Sequence, residues 1–284
     1  MRARSRRSFI KLASAAAAAS AMPLRTARAA GSVDLAPAAA GKVSFPLGIA
    51  SYSLRNFTLE QALAMTRHVG LTRASLKDMH FPLTVTEVEA AAVVAKVKAA
   101  GLELSTIGVV YMTTEDEVRR AFTVARWAGI RFIVGVPDKP LLPLAERMVK
   151  ETGIGLAIHN HGPDPRPFGA PEEGYRAIEK MDRRMGLCLD VGHTRRLGLD
   201  PADEFARFFD RILDVHIKDV SAADKSGSTI EIGRGVLDIP KLLRTAVKLK
   251  YAGTFHFEHE KDAADPLPGI AESVGWVRGY LASL

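Results

Sequence analysis

The side chains able to bind a metal or move a proton crowd into six short stretches. These are Ser75-Leu76-Lys77-Asp78-Met79-His80, Val134-Gly135-Val136-Pro137-Asp138, His159-Asn160-His161, Asp190-Val191-Gly192-His193, His216-Ile217-Lys218-Asp219 and His256-Phe257-Glu258-His259-Glu260. Seven of the eight histidines fall in them, and only His68 lies elsewhere. If each stretch ends a β-strand, alternate side chains share a side. His159 then faces with His161, His216 with Lys218, and Glu258 with His256 and Glu260. One donor from each of four such strands, His159, Asp190, His216 and Glu258, could converge. Two imidazoles and two carboxylates suit a divalent transition ion such as Mn²⁺, Zn²⁺, Co²⁺ or Fe²⁺, and disfavour the all-oxygen preference of Ca²⁺. So few protein ligands leave positions for substrate or water, as a catalytic metal requires. Taken singly, each residue has a duller alternative role in capping a helix or satisfying a loop amide. Tyr52, Arg55, Lys77 and His80 are further candidates to line the pocket.

Such a set needs a scaffold that gathers strand ends. Short apolar runs alternate with longer amphipathic ones along the chain, and strands are predicted to begin near Leu47, Arg73, Leu102, Phe132, Gly155, Gly186, Ile212 and Gly253. Thr58-Leu59-Glu60-Gln61 and Thr114-Glu115-Asp116-Glu117 fit the capping box that opens a helix. Gly101 sits where a left-handed residue would close the helix predicted from Thr86 to Ala100. Eight βα units in about 240 residues predict a closed (β/α)8 TIM barrel, a single α/β domain over residues 45–284. An open doubly wound sheet would want a Gly-rich phosphate turn after the first strand, where this chain has Ala50-Ser51-Tyr52-Ser53-Leu54-Arg55-Asn56. In a barrel the chemistry gathers at the C-terminal ends of the strands, where the six stretches fall. Gly233-Arg234-Gly235 reads as a turn.

Leu189-Asp190-Val191-Gly192-His193, Val215-His216-Ile217-Lys218-Asp219, Phe257-Glu258 and Gly233-Arg234-Gly235-Val236 together resemble the xylose isomerase-like barrel superfamily. Within it they are similar to the sugar phosphate isomerase/epimerase group, which includes inosose dehydratases, ketose 3-epimerases and the endonuclease IV type of DNA-repair enzyme. The resemblance spans about residues 45–284. It implies a metal held by Asp190, His216 and Glu258, with His193 and Lys218 at places that contact substrate hydroxyls. The chain departs from the family at the fifth strand, where His159 stands in place of the usual Glu. The family's two-carboxylate epimerisation therefore has one matched carboxylate here, Glu258, and His159 or His161 is the candidate for the second acid/base because imidazole titrates near neutrality. The leading expectation is a metal-dependent isomerase or epimerase that abstracts a proton next to a carbonyl on a sugar or polyol. A lyase or hydratase acting on a keto-glycoside or keto-cyclitol is the second expectation, and a non-catalytic sugar-binding barrel the third.

The first residues belong to a different argument. Ser5-Arg6-Arg7-Ser8-Phe9-Ile10-Lys11 precedes a weakly apolar, Ala-rich run and the small-residue pattern Ala27-Arg28-Ala29. This resembles the bacterial twin-arginine export signal, so residues 1–30 are expected to be an address read by the twin-arginine machinery and removed, and residues 31–44 a flexible lead-in. The run is too short to insert stably in a membrane. The expected location is the periplasm or the medium, and the expected substrate there is an unphosphorylated sugar or polyol. The chain has 39 basic against 32 acidic residues, a formal charge of +7. The basic residues Arg2, Arg4, Arg6, Arg7, Lys11, Arg25 and Arg28 account for that whole excess, so the remainder is formally neutral. A nucleic-acid partner, and with it a DNA-repair role, loses its electrostatic support. The lone Cys188 has no disulfide partner within the chain, and its neighbours predict a buried thiol. A homo-oligomer is compatible with the composition.

Overall fold

A computed structural model describes residues 45–284; the expected export segment and lead-in lie outside the described residues. The strands are β1 (Leu47–Ala50), β2 (Arg73–Leu76), β3 (Glu103–Ile107), β4 (Val110–Met112), β5 (Phe132–Pro137), β6 (Gly155–His159), β7 (Met185–Asp190), β8 (Ile212–Ile217), β9 (Asp219–Val220), β10 (Thr229–Ile230) and β11 (Thr254–Phe257). Every residue of β6, β7 and β11 is buried. That is the signature of parallel strands covered on both faces.

The main sheet runs in the order β3-β2-β1-β11-β8-β7-β6-β5-β4, and all its pairings are parallel. Its two ends are successive pieces of one path, because β3 pairs with β2 and β4 with β5. The expected third strand is thus broken at residues 108–109, and the ring closes through it. Two contacts flank the break. The Val109 carbonyl accepts from Lys77 Nζ at 3.0 Å. Thr106 Oγ1 donates across to the Phe132 carbonyl at 2.8 Å. β9 and β10 form a small antiparallel ribbon between β8 and the next helix.

The helices are α1 (Leu59–His68), α2 (Glu87–Ala99), α3 (Glu115–Ala128), α4 (Leu142–Thr152), α5 (Pro171–Ile178), α6 (Val191–Arg196), α7 (Pro201–Arg207), α8 (Ile239–Lys248) and α9 (Leu267–Ala282). α3 shows why they form where they do. Thr114 and Glu117 satisfy each other's backbone amides in a capping box, three acids occupy the first turn, and Gly129 ends the helix in a left-handed conformation. Val118, Ala121, Phe122, Ala125 and Ala128 recur at helical spacing and are all buried. Phe122 is wholly buried, and truncating it to Ala would cost about 3–5 kcal/mol. The capping box predicted at Thr58 is present, and Gly101 has φ +72° just past α2. Among the described residues no helix is long and apolar enough to cross a membrane.

Candidate metal centre and active site

β6, β7, β8 and β11 are consecutive neighbours in the ring, and each delivers one donor to the same point at the C-terminal mouth. His159 ends β6, Asp190 ends β7, His216 lies one residue before the end of β8, and Glu258 follows β11. One ligand atom from each lies within 4.8 Å of all the others. His159 Nε2 is 3.8 Å from Asp190 Oδ2, and His216 Nδ1 is 3.3 Å from Glu258 Oε2. All four side chains are buried. Among the described residues His159 Nδ1 and both ring nitrogens of His216 make no hydrogen bond. A buried polar atom without a partner costs about 1–3 kcal/mol. One nitrogen from each of the two imidazoles, beside two carboxylates, gives a donor set a divalent ion would take.

Local sequence holds these donors in place. Asn160 Oδ1 accepts from the Asp190 backbone amide at 2.9 Å, while its Nδ2 donates to the Asp190 carbonyl and to Thr194 Oγ1. Asp190 also caps α6, with Oδ1 accepting from the His193 amide at 2.7 Å. Gly192 is required by its neighbour: a Cβ there would meet Lys218 Cγ at 2.4 Å, so the lysine stem lies directly across it. That stem carries Nζ to 3.0 Å from Asp190 Oδ2, 2.7 Å from Glu258 Oε2 and 2.6 Å from Glu260 Oε1. Asp219 is buried and accepts the backbone amides of Val220, Gly233, Gly235 and Leu237. A Cβ on Gly235 would meet its Oδ1 at 2.1 Å. The Gly233-Arg234-Gly235 turn is therefore folded around the Asp219 carboxylate.

The charges follow from these contacts. Burial disfavours the Lys218 ammonium, but Asp190, Glu258 and Glu260 outweigh it and hold its pKa well above the usual value. Burial likewise works against ionised Glu258, yet Lys218 and His216 keep it well below the carboxylate range. Burial opposes protonation of His216 too, and the adjoining Cys188 and Glu258 reverse that. Asp190, with no exposed surface, is raised by its burial against the pull of Lys218. His161 is lowered to about 4 and His193 to about 3, each by burial first. Both are neutral imidazoles at neutral pH, weak bases there that keep one ring N–H to donate and one ring nitrogen to accept hydrogen bonds.

Above the donors opens a cavity of about 520 Å³, lined in part by His159, His161, His193, Glu258, Lys77 and Tyr52. His161 Nε2 lies 3.0 Å from Tyr111 Oη. The Tyr111 ring carries Lys77 Nζ at 5.0 Å and the Arg166 guanidinium at 4.7 Å from its centroid. Lys77 thus stands at the mouth, and Arg55 lies 4.7 Å over Tyr52. His80 is elsewhere. Its Nδ1 meets Ser51 Oγ at 2.9 Å and its Nε2 the Phe57 carbonyl at 3.0 Å, so both nitrogens are spent holding the β1–α1 connection. His256 points into the barrel one layer below the mouth, between Asp214 (2.8 Å) and Ser105 (2.7 Å). Sequence reasoning did not find Tyr111, Asp164 or Arg166. Asp164 and Arg166 come from a Pro-rich loop with no periodicity, and Tyr111 from β4, past the break in the third strand.

A sequence profile of the xylose isomerase-like TIM barrel matches residues 139–280, half of the chain. The chain belongs to that family. The matched stretch contains all four donors together with Lys218 and the Asp219 turn. Within the family's neighbourhood, the rhizopine catabolism protein MocC of Rhizobium meliloti is 33% identical over 139 residues, which cover 44% of this chain and 42% of that protein. An inosose dehydratase of Lacticaseibacillus casei is 27% identical over 142 residues, covering 42% of this chain and 45% of that enzyme. The chain spans less than half the length of these curated relatives. Among solved structures, the IOLI protein with a bound zinc atom superposes with a TM-score of 0.69 at 12% identity, covering 84% of this chain and 98% of that one. An L-ribulose 3-epimerase gives 0.68 at 16% identity, covering 84% and 94%. Identities this low carry the fold alone.

Proposed function

We propose that this protein is a metal-dependent isomerase or epimerase that removes a proton next to the carbonyl of an unphosphorylated sugar or polyol. One observation carries the reading: four buried donors from adjacent strands converge within 4.8 Å of one another, below an open polar cavity. A divalent ion at these donors, with Zn²⁺, Mn²⁺, Co²⁺ and Fe²⁺ the candidates, would supply a Lewis acid for the carbonyl oxygen. Glu258, kept ionised by Lys218 and His216, is the base for the adjacent C–H. Neutral His161, paired with the Tyr111 hydroxyl, and neutral His193 accept hydrogen bonds from substrate hydroxyls or relay a proton. Lys218 holds Glu258 and Glu260 in place and orients hydroxyls. The twin-arginine resemblance supports a periplasmic or secreted enzyme, which favours substrates without phosphate.

The second reading is a lyase or hydratase on a keto-glycoside or keto-cyclitol. It is favoured by His159 standing where the family's second carboxylate is expected, and by the similarity to inosose dehydratase. Incubating metal-loaded protein with unphosphorylated ketoses, inososes and keto-glycosides in deuterated water, followed by NMR, separates the two. Deuterium entry beside the carbonyl without bond cleavage supports the isomerase, and loss of water or release of an aglycone supports the lyase. Neither outcome across the panel would remove both.

A further inference from the structure

A second cavity, of about 360 Å³, adjoins the first. Asp164, His193 and Glu260 line both, so they form the partition between them. Two of its side chains, Asp164 and Glu260, keep 43% and 34% exposure. Its far wall comes from the β9–β10 ribbon and the loop within it, with Gly227, Ser228 and Thr229 facing Gly192 and Lys218. Two features define what fits. Each cation on the wall is already paired: Arg196 with Asp164 at 3.1 Å, Lys218 with three carboxylates, and Lys261 with Glu231 at 2.8 Å and Asp262 at 3.4 Å. No cation is left for a phosphate or carboxylate. The wall also carries no phenyl, phenol or indole ring, whereas the first cavity has Tyr52 and Tyr111. Hydroxyls, backbone groups and compensated charges suit an uncharged, hydroxyl-rich ligand.

We propose that this second chamber binds the uncharged, hydroxylated unit linked to the reacting sugar, so that the substrate is a neutral glycoside of two polyol units rather than a free monosaccharide. The proposal rests on the first cavity being a sugar site, and it is read by binding rather than turnover. Failure of the reaction class would leave it standing. The test titrates zinc- or manganese-loaded protein calorimetrically with glucose and galactose, with maltose, cellobiose, lactose and trehalose, with p-nitrophenyl glucoside and with glucose phosphate. At least one disaccharide should bind tenfold or more tightly than its monosaccharide, and tighter than the aryl glycoside and the phosphate. Ser228 is exposed on the chamber wall, so Ser228→Trp fills the chamber from its rim. It should abolish the disaccharide advantage with an unchanged melting temperature. Ser228→Leu serves the same purpose if the larger ring lowers stability. No disaccharide outdoing its monosaccharide, a preference for the aryl or phosphorylated ligand, or an advantage that survives both variants would overturn the proposal.

Discussion

Glu258 concentrates most of the chemistry, because it is at once a candidate ligand, the partner of Lys218 and the proposed base. Glu258→Gln removes the negative charge with almost no change of shape. Turnover, followed as deuterium exchange, should fall by about 10²–10⁴-fold, while the circular dichroism spectrum stays that of the parent. A fully active variant would dismiss the role. Chelation gives a second readout at this scale. A ligand that binds only the folded state raises its stability, so stripping the metal should lower the melting temperature as well as stop exchange, and restoring Zn²⁺ or Mn²⁺ should recover both. An unchanged melting curve would argue against occupancy of His159, Asp190, His216 and Glu258. These four were legible from sequence because period-two alternation fixes which side a strand residue faces, and each lies at or near the end of an apolar run. His80 sits equally near a strand end, but its two nitrogens are taken by Ser51 and Phe57 of the neighbouring β1–α1 connection. Distance along the chain could not reveal that. Asp164 and Arg166 reach the mouth by the path of an irregular loop, which no periodicity encodes.

Among the elements, the turn around Asp219 is the most concentrated. One buried carboxylate accepts four backbone amides across residues 220–237, so Asp219→Ala leaves several donors unpaired at once. A loss of about 3 kcal/mol is expected, equivalent to a fall in melting temperature of roughly 6–12 °C for a chain of this size. Urea and thermal melts would check it, and a variant within about 0.5 kcal/mol of the parent would contradict the account. The loop it folds also walls the second chamber, so the same variant should weaken disaccharide binding more than monosaccharide binding. The starts of the eight strands and the boxes at Thr58 and Thr114 could be read in the sequence because their signals are local. The interruption at residues 108–109 could not, because a lone glycine is its only local signal and the contact beside it, Lys77 Nζ to the Val109 carbonyl, joins residues 32 apart in sequence. The β9–β10 ribbon was equally hidden, each strand being only two residues long.

For the whole molecule, the export reading makes its own prediction. Expressed in a bacterium with twin-arginine transport, the precursor should yield a periplasmic protein whose N-terminus by mass spectrometry is at Gly31, after removal of residues 1–30. Changing Arg6→Lys and Arg7→Lys together should leave the precursor in the cytoplasm; processing at the parental rate would refute the assignment. At this scale pattern sufficed for the barrel, since the βα alternation runs through residues 47–282, while the export reading falls on residues outside the described ones. The second chamber was not legible, because it arises where the segment at 162–168, α6 and the ribbon meet, and only tertiary structure brings them together. The single cysteine has a practical corollary. Cys188 has no exposed surface, and burial pushes its thiol up to about 12, so the native protein should ignore maleimides and iodoacetamide near neutral pH. Its outer surface, residues 45–284, is then chemically blank to such reagents. A cysteine installed at Ser228 would be the one addressable handle there, and a fluorophore on it would report in real time whether the neighbouring chamber is filled.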